Sequence, residues 1–322
     1  MVLKATRAAK ELHRAYGMDR QELTRIDVYS TIHRSGAVLM FRPMDKLLGA
    51  YFKSDCKGII INTERPVGQQ RYTAAHELGH MIMKHDPHAD DKDILRRSPL
   101  SATVGVPRQE LEADVFASAF LLPTFVMVNH FRRQGLQPGQ TLQAQDIYQA
   151  SLRHGSSYKA TLFAFQREGL ISTSQRREFA KVAPRTLKRD LVGDSYDGDW
   201  RNRDVWRLTE ADRGAVIEAM PGDLFALKLQ ENPSTGYVWT YDDLSNSGFA
   251  TLEDTSVAAR QNQFGAAARR WIVGDTSELL PGTYSLKEIR LFQPSTIAQE
   301  LELGYRHGVG RESGLYANQM AA

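Results

Sequence analysis

His76-Glu77-Leu78-Gly79-His80, within the longer run Gln70-Arg71-Tyr72-Thr73-Ala74-Ala75-His76-Glu77-Leu78-Gly79-His80-Met81-Ile82, decides the first half of this chain. On an α-helix, residues four apart lie one turn above each other on the same face, so His76 and His80 can aim ring nitrogens at one point. Two imidazoles so placed suit a zinc ion. Glu77, one residue along, can reach a water on that ion instead of the ion itself. Ala74, Ala75, Leu78, Met81 and Ile82 make the flanks apolar, as a buried helix requires, and Gly79 leaves room for a close neighbour. Chance matches to this pattern occur in ordinary helices, so it needs support from elsewhere.

Support comes from Glu110-Leu111-Glu112-Ala113-Asp114-Val115-Phe116-Ala117. Leu111, Val115, Phe116, Ala119 and Phe120 form an apolar stripe at helical spacing, and Pro123 ends it. Glu110 and Asp114 are again four apart, beside that stripe. A hydrolytic zinc site takes a third protein ligand and keeps one position open for water. His76, His80 and Glu110 would hold one zinc per chain and leave it positive enough to acidify that water. Asp114 is placed to accept the second N–H of a ligand histidine and fix its tautomer. Glu112 is the rival ligand, on a different face. The plain alternative is a solvated helix face.

Taken in order with Gly58-Ile59-Ile60-Ile61-Asn62, Arg65-Pro66 and Leu121-Leu122-Pro123, these motifs make residues 5–175 resemble the ImmA/IrrE metallopeptidases. The resemblance implies a zincin-like α+β fold of the gluzincin kind. It implies zinc on His76, His80 and Glu110 with Glu77 as general base. It also implies a cytoplasmic, stress-linked regulatory protease that cuts a transcriptional repressor or antitoxin. By analogy, the strand at Leu48-Gly49-Ala50-Tyr51 is the sheet edge that would hold extended substrate. Arg71, Tyr72 and Tyr158 are the residues that could meet an oxyanion.

The whole chain sets limits. Its 322 residues suffice for two domains, and 42% hydrophobic with 25% charged residues is ordinary for a soluble protein. No run of about 18 apolar residues stands out, so no membrane span is expected. The start, Met1-Val2-Leu3-Lys4-Ala5, leads into charged helical sequence instead of a secretory core. The single cysteine, Cys56, excludes an internal disulfide and fits a reducing cytoplasm. A net charge of +3 gives no case for nucleic-acid binding.

Helices are expected over 4–16 and from Arg20 to about His33, with short buried strands at Ala37–Phe41 and Gly58–Ile61. His85 to Asp93 reads as a polar surface loop; His85, His88 and its aspartates could instead bind a second metal, but nothing in the spacing fixes a ligand geometry. Between Gln145 and Ser172 two helices meet at Arg153-His154-Gly155-Ser156-Ser157, with a serine as cap. The second helix is too apolar to read a DNA groove, so it should pack on the core. Residues 176–203, basic and then polar, read as a helix fading into a linker between a peptidase domain at 1–175 and a second domain at 204–322.

In that second domain the period changes to alternation: Phe225, Leu227 and Leu229; Tyr237, Trp239 and Tyr241; Trp271 and Val273; Tyr284 and Leu286; Leu301, Leu303 and Tyr305. An all-β sandwich follows. Glu231-Asn232-Pro233-Ser234-Thr235-Gly236-Tyr237-Val238-Trp239 resembles the signature loop of the chagasin-like inhibitors of papain-type cysteine peptidases. Gly265 to Trp271 and Leu291-Phe292-Gln293-Pro294 stand where that family has its other two loops, and both depart from the pattern. The resemblance implies an immunoglobulin-like sandwich whose loop Asn232, Pro233, Ser234, Thr235, Gly236 and Tyr237 meets a cysteine peptidase or another protein. The combined expectation is a zinc endopeptidase with a β-domain for recognition or autoregulation. The rival is a catalytically idle zincin fold that acts as an inhibitor or sensor through the β-domain.

Overall fold

Leu39 and Phe41, Ile59 and Ile61, and Tyr51 come into register on one face of a mixed sheet and are all buried there. Their strands are β1 (Val38–Arg42), β2 (Leu47–Lys53) and β3 (Lys57–Asn62); with β4 (Ala89–Asp91) and β13 (Gly314–Leu315) the order is β13-β1-β3-β2-β4. β1 and β3 are parallel, and the other pairs are antiparallel. This computed structural model describes residues 2–45, 47–53, 56–86, 89–91, 106–136, 140–258, 268–308 and 314–315. They divide into two units: 1–132 with 141–180 and 310–322, and 133–140 with 181–309.

The helices of the first unit are α1 (Val2–Ala15), α2 (Val28–Arg34), α3 (Val67–Met83), α4 (Arg108–Leu121), α5 (Thr124–Arg133), α6 (Ala144–His154), α7 (Tyr158–Arg167) and α8 (Thr173–Phe179). α2 begins eight residues later than Arg20, because Asp27 accepts the Ser30 N–H at 3.1 Å and caps the helix there. α3 lies across β2 and β3, and α4 packs on α1 and α3. A Cβ on Gly79 of α3 would stand 3.0 Å from the Phe116 ring of α4, so this glycine sets how closely the two helices approach. α7 turns Leu162, Ala164 and Phe165 inward, which is why that helix is apolar. The stretch Arg108–Arg133 corrects the expectation of no membrane-length run: it is long and apolar enough, but 72% of its most apolar window is buried inside the fold.

Gly49 of β2 is a second close approach. A Cβ there would lie 2.5 Å from Thr73 Cγ2 and 3.0 Å from the Ile60 carbonyl oxygen. Thr73 is buried, so either its methyl group or the seat of α3 on β2 must shift. Gly49→Ala should cost about 1–3 kcal/mol by overpacking. Urea unfolding of the full chain measures this, and an unchanged midpoint would show that α3 has slack.

His154 closes α6. Its Nδ1–H donates to the Thr24 carbonyl at 2.7 Å, and the ring is buried. Burial is the main cause that lowers its pKa to about 4; the Arg153 and Arg71 charges add to this, and the Thr24 carbonyl opposes it. The unfolded chain therefore takes up the proton first, near the ordinary histidine value of 6.5. Stability from this group is complete above pH 6.5 and is lost as pH falls through about 4, by roughly 3 kcal/mol in all. His154→Asn can keep an N–H for Thr24 without the titration. Its acid limb in a plot of unfolding midpoint against pH should be flatter than that of the parent.

The second unit stacks two sheets, β5-β7-β10-β9 and β6-β12-β11-β8. The strands are β5 (Val205–Leu208), β6 (Ala215–Ala219), β7 (Leu224–Glu231), β8 (Tyr237–Thr240), β9 (Ala250–Ala258), β10 (Ala268–Asp275), β11 (Gly282–Arg290) and β12 (Gln293–His307), with the short helix α10 (Asp242–Asn246). Phe225, Leu227, Leu229, Trp239, Leu286, Leu301, Leu303 and Tyr305 are buried as the alternation predicts. Trp271 is a correction. Its register partner is Lys228, whereas Leu227 faces Ile272, so Ile272 shares the face of Leu227 and Trp271 lies on the other, under the Lys228 ammonium at 4.3 Å.

Within residues 176–203, read as a helix fading into a linker, a helix does form. α9 (Pro184–Val192) buries Leu187, Leu191 and Val192 and packs on β5. Lys188 donates to the Arg203 carbonyl at 2.5 Å and pairs with Asp204 at 3.0 Å, so this lysine is not part of a solvated face. Among the described residues, 181–203 thus group with the β-unit, while Gly314–Leu315, expected there, pair with β1 in the first.

Candidate metal centre and partner loop

α3 runs from Val67 to Met83, and one face of it carries Tyr72, His76 and His80 toward α4. His76, Glu77, His80, Glu110 and Asp114 are all buried at 1% exposure or less. The Nε2 atoms of His76 and His80 are 3.0 Å apart; Glu110 Oε2 lies 3.3 Å from the first, and Glu110 Oε1 3.5 Å from the second. Among the described residues, these three form the group whose donor atoms could hold a metal ion.

Hydrogen bonds fix which ring nitrogens face the centre. His76 Nδ1 donates to Asp114 Oδ1 at 3.0 Å, since an ionised carboxylate only accepts; this leaves the lone pair on His76 Nε2. The Tyr72 hydroxyl donates to the same Oδ1 at 3.0 Å. A Cβ on Gly49 would stand 3.3 Å from Glu77 Oε1, so any larger residue there would crowd that carboxylate.

Of the three residues read as oxyanion partners, Tyr72 lies beside the centre and the other two bond backbone carbonyls. Arg71 is buried and donates to the carbonyls of Ile26 at 2.6 Å and Gly155 at 3.1 Å, tying α3 to the end of α6. Tyr158 donates to the Phe179 carbonyl at 3.0 Å, and burial pushes its hydroxyl up to about 12. Tyr72 is engaged with Asp114. The substrate-edge expectation meets a neighbour as well: β4 pairs with β2 at Leu47, Gly49 and Ala50.

His85 stands in the segment after α3, as expected, but its side chain is turned in: it is 8% exposed, with Nδ1 3.2 Å from His80 Nδ1 and Nε2 3.2 Å from Glu112 Oε2, contacts that the sequence reading did not foresee. Glu112, the rival ligand, instead meets His85 and the Arg108 guanidinium at 3.0 Å. Burial opposes its ionisation, but those two hydrogen bonds and the charges of Lys4 and Arg108 hold its pKa below the usual range. A histidine five residues past the second ligand was the signal available. His88 lies outside the described residues.

In the second unit the loop between β7 and β8 is built on two buried carboxylates. Glu288 Oε1 accepts the Asn232 N–H at 2.9 Å and its side-chain amide at 3.3 Å; Glu231 Oε1 accepts the Trp239 N–H at 3.1 Å. Thr235 Oγ1 donates to the Asn232 carbonyl at 2.8 Å, and Gly236 takes φ 80°, which closes the turn. The hairpin tip lies alongside: Leu291 N–H donates to the Gly236 carbonyl at 3.4 Å, and Phe292 is 91% exposed. Of the second family-like loop, residues 265–267 lie outside the described residues, and Ala268 to Trp271 belong to β10.

Residues 32–136 match the family model of the IrrE N-terminal-like domain, Peptidase M78, and residues 218–297 match that of the Chagasin family peptidase inhibitor I42. Two known domain families are joined in this chain. The IrrE N-terminal-like match contains every residue of the metal triangle, and the chagasin-family match contains the Asn232–Tyr237 loop. Among solved structures, the chagasin-family domain is similar to the cysteine protease inhibitor EhICP2 from Entamoeba histolytica. That match has 24% identity and TM-score 0.28, over 34% of this chain and 99% of the other. Amebosin is similar at 21% identity and TM-score 0.28, over 32% of this chain and 97% of the other. No curated protein matches the chain.

Proposed function

We propose that the chain is a zincin-type, zinc-dependent endopeptidase acting on a specific protein, with its chagasin-family domain as a protein-recognition module. One observation carries the reading: His76 Nε2 and His80 Nε2 lie 3.0 Å apart, and each has one oxygen of Glu110 close by, Oε2 at 3.3 Å from the first and Oε1 at 3.5 Å from the second. Donors about 2.0–2.1 Å from a tetrahedral zinc stand roughly 3.3–3.4 Å apart, and one donor atom from each of the three residues lies within 4.8 Å of the others. Two imidazole nitrogens this close, facing a buried carboxylate, call for a cation between them. Bound zinc would supply a Lewis acid for a carbonyl and lower the pKa of a water. The chain's own residues do the rest. Glu77 takes a proton on its carboxylate and returns it to the leaving amine, while Asp114 holds His76 in the Nδ1–H tautomer.

A repressor or antitoxin is the substrate class that the family resemblance suggests, and a reducing cytoplasm suits the exposed thiol of Cys56. Cleavage of unfolded and native protein substrates, with and without a chelator, tests the enzyme. Activity that survives complete zinc removal overturns the reading. A second reading, peptidase inhibition, is favoured by the braced Asn232–Gly236 loop beside the exposed Phe292. Nanomolar inhibition of papain by the Glu77→Gln chain would support it.

A further inference from the structure

The end of α3 has an unusual geometry. Lys84 takes φ 61°, the left-handed region, where among the described residues every other positive φ belongs to glycine. That turn returns the chain on the helix, so the His85 N–H donates to the His80 carbonyl at 3.0 Å. It also sets the His85 ring against His80 and Glu112.

We infer that His85 and Glu112 are positioning residues of the metal centre, a relay that locks the tautomer and orientation of His80 as Asp114 does for His76. The relay rests on the proposed zinc site. If His80 Nε2 binds the ion, its Nδ1 carries hydrogen and donates to His85 Nδ1, 3.2 Å away. His85 must then accept at Nδ1 and carry its own hydrogen on Nε2, which points at Glu112 Oε2 at 3.2 Å. Each bond fixes the next, and only one arrangement of hydrogens satisfies all three residues. Arg108 holds the far end by donating to Glu112 Oε1 at 3.0 Å. One ligand thus has its carboxylate directly, the other through a second imidazole. The left-handed Lys84 is the backbone conformation that delivers this contact.

Zinc affinity of the full chain, read by competition with a chromogenic chelator, tests the relay, together with the visible spectrum of the cobalt-substituted protein. His85→Phe should raise the zinc dissociation constant roughly 10- to 100-fold and shift the cobalt bands. His85→Asn keeps an acceptor oxygen near the Nδ1 position and should recover most of the affinity. Glu112→Gln leaves His85 in place and should weaken zinc in the same direction; it decides the matter if His85→Phe fails to fold. A parent that binds zinc while Glu112→Gln and the folded His85 variants match it within twofold, with unchanged cobalt bands, overturns the relay alone. A parent that takes up no zinc overturns the metal centre and the relay together.

Discussion

Glu77→Gln should lower peptide-bond cleavage by about 10²- to 10⁴-fold while the chain keeps its zinc. The substitution is isosteric, which suits a side chain that is 1% exposed and whose Oε1 lies 3.3 Å from where a Cβ on Gly49 would stand. What changes is proton chemistry alone. An amide cannot take a proton from water and pass it to the leaving nitrogen, yet Glu77 belongs to no edge of the ligand triangle. The diagnostic result is the combination, with single-turnover cleavage measured beside zinc content by atomic emission. Cleavage at the parent rate would refute the assignment. Loss of zinc along with activity would make Glu77 a ligand instead.

Glu110→Ala should have the opposite signature, with zinc content falling from one per chain to a small fraction and cleavage lost in consequence. Glu110 supplies two edges of the triangle and its only carboxylate. Without it, two neutral imidazoles remain to hold a dication in a buried site, where an uncompensated charge is costly. α4 should stay docked, because its contact with α3 rests on Phe116 against Gly79 and on the apolar residues around them. The unfolding midpoint of the zinc-free variant should therefore lie near that of the zinc-free parent. Full retention of zinc would mean that another donor completes the site. Glu112 would be the first to examine, although here it faces His85.

Much of this was legible in the sequence where the property is local. A helical period of four places His76 over His80 and Glu110 over Asp114 whatever surrounds them, and alternation in Leu227, Leu229, Leu301 and Leu303 marks strands with one buried side. The chagasin-like turn is written in its own residues, since Asn232, Pro233 and Gly236 suit only a few backbone shapes. Three-dimensional packing decided the rest. Whether Glu110 or Glu112 faces the histidines depends on how α4 rotates against α3, which the Gly79–Phe116 contact fixes. Arg71 of α3 leaves oxyanion contact and helix-start packing both open until its guanidinium is found on carbonyls 45 and 84 residues away. The basic residues of 176–203 read as a helix fading into a linker, and His85 as part of a loop, for the same reason. Periodicity describes what one element offers on its own faces, but a side chain's role is set by what the fold brings against it from far along the chain.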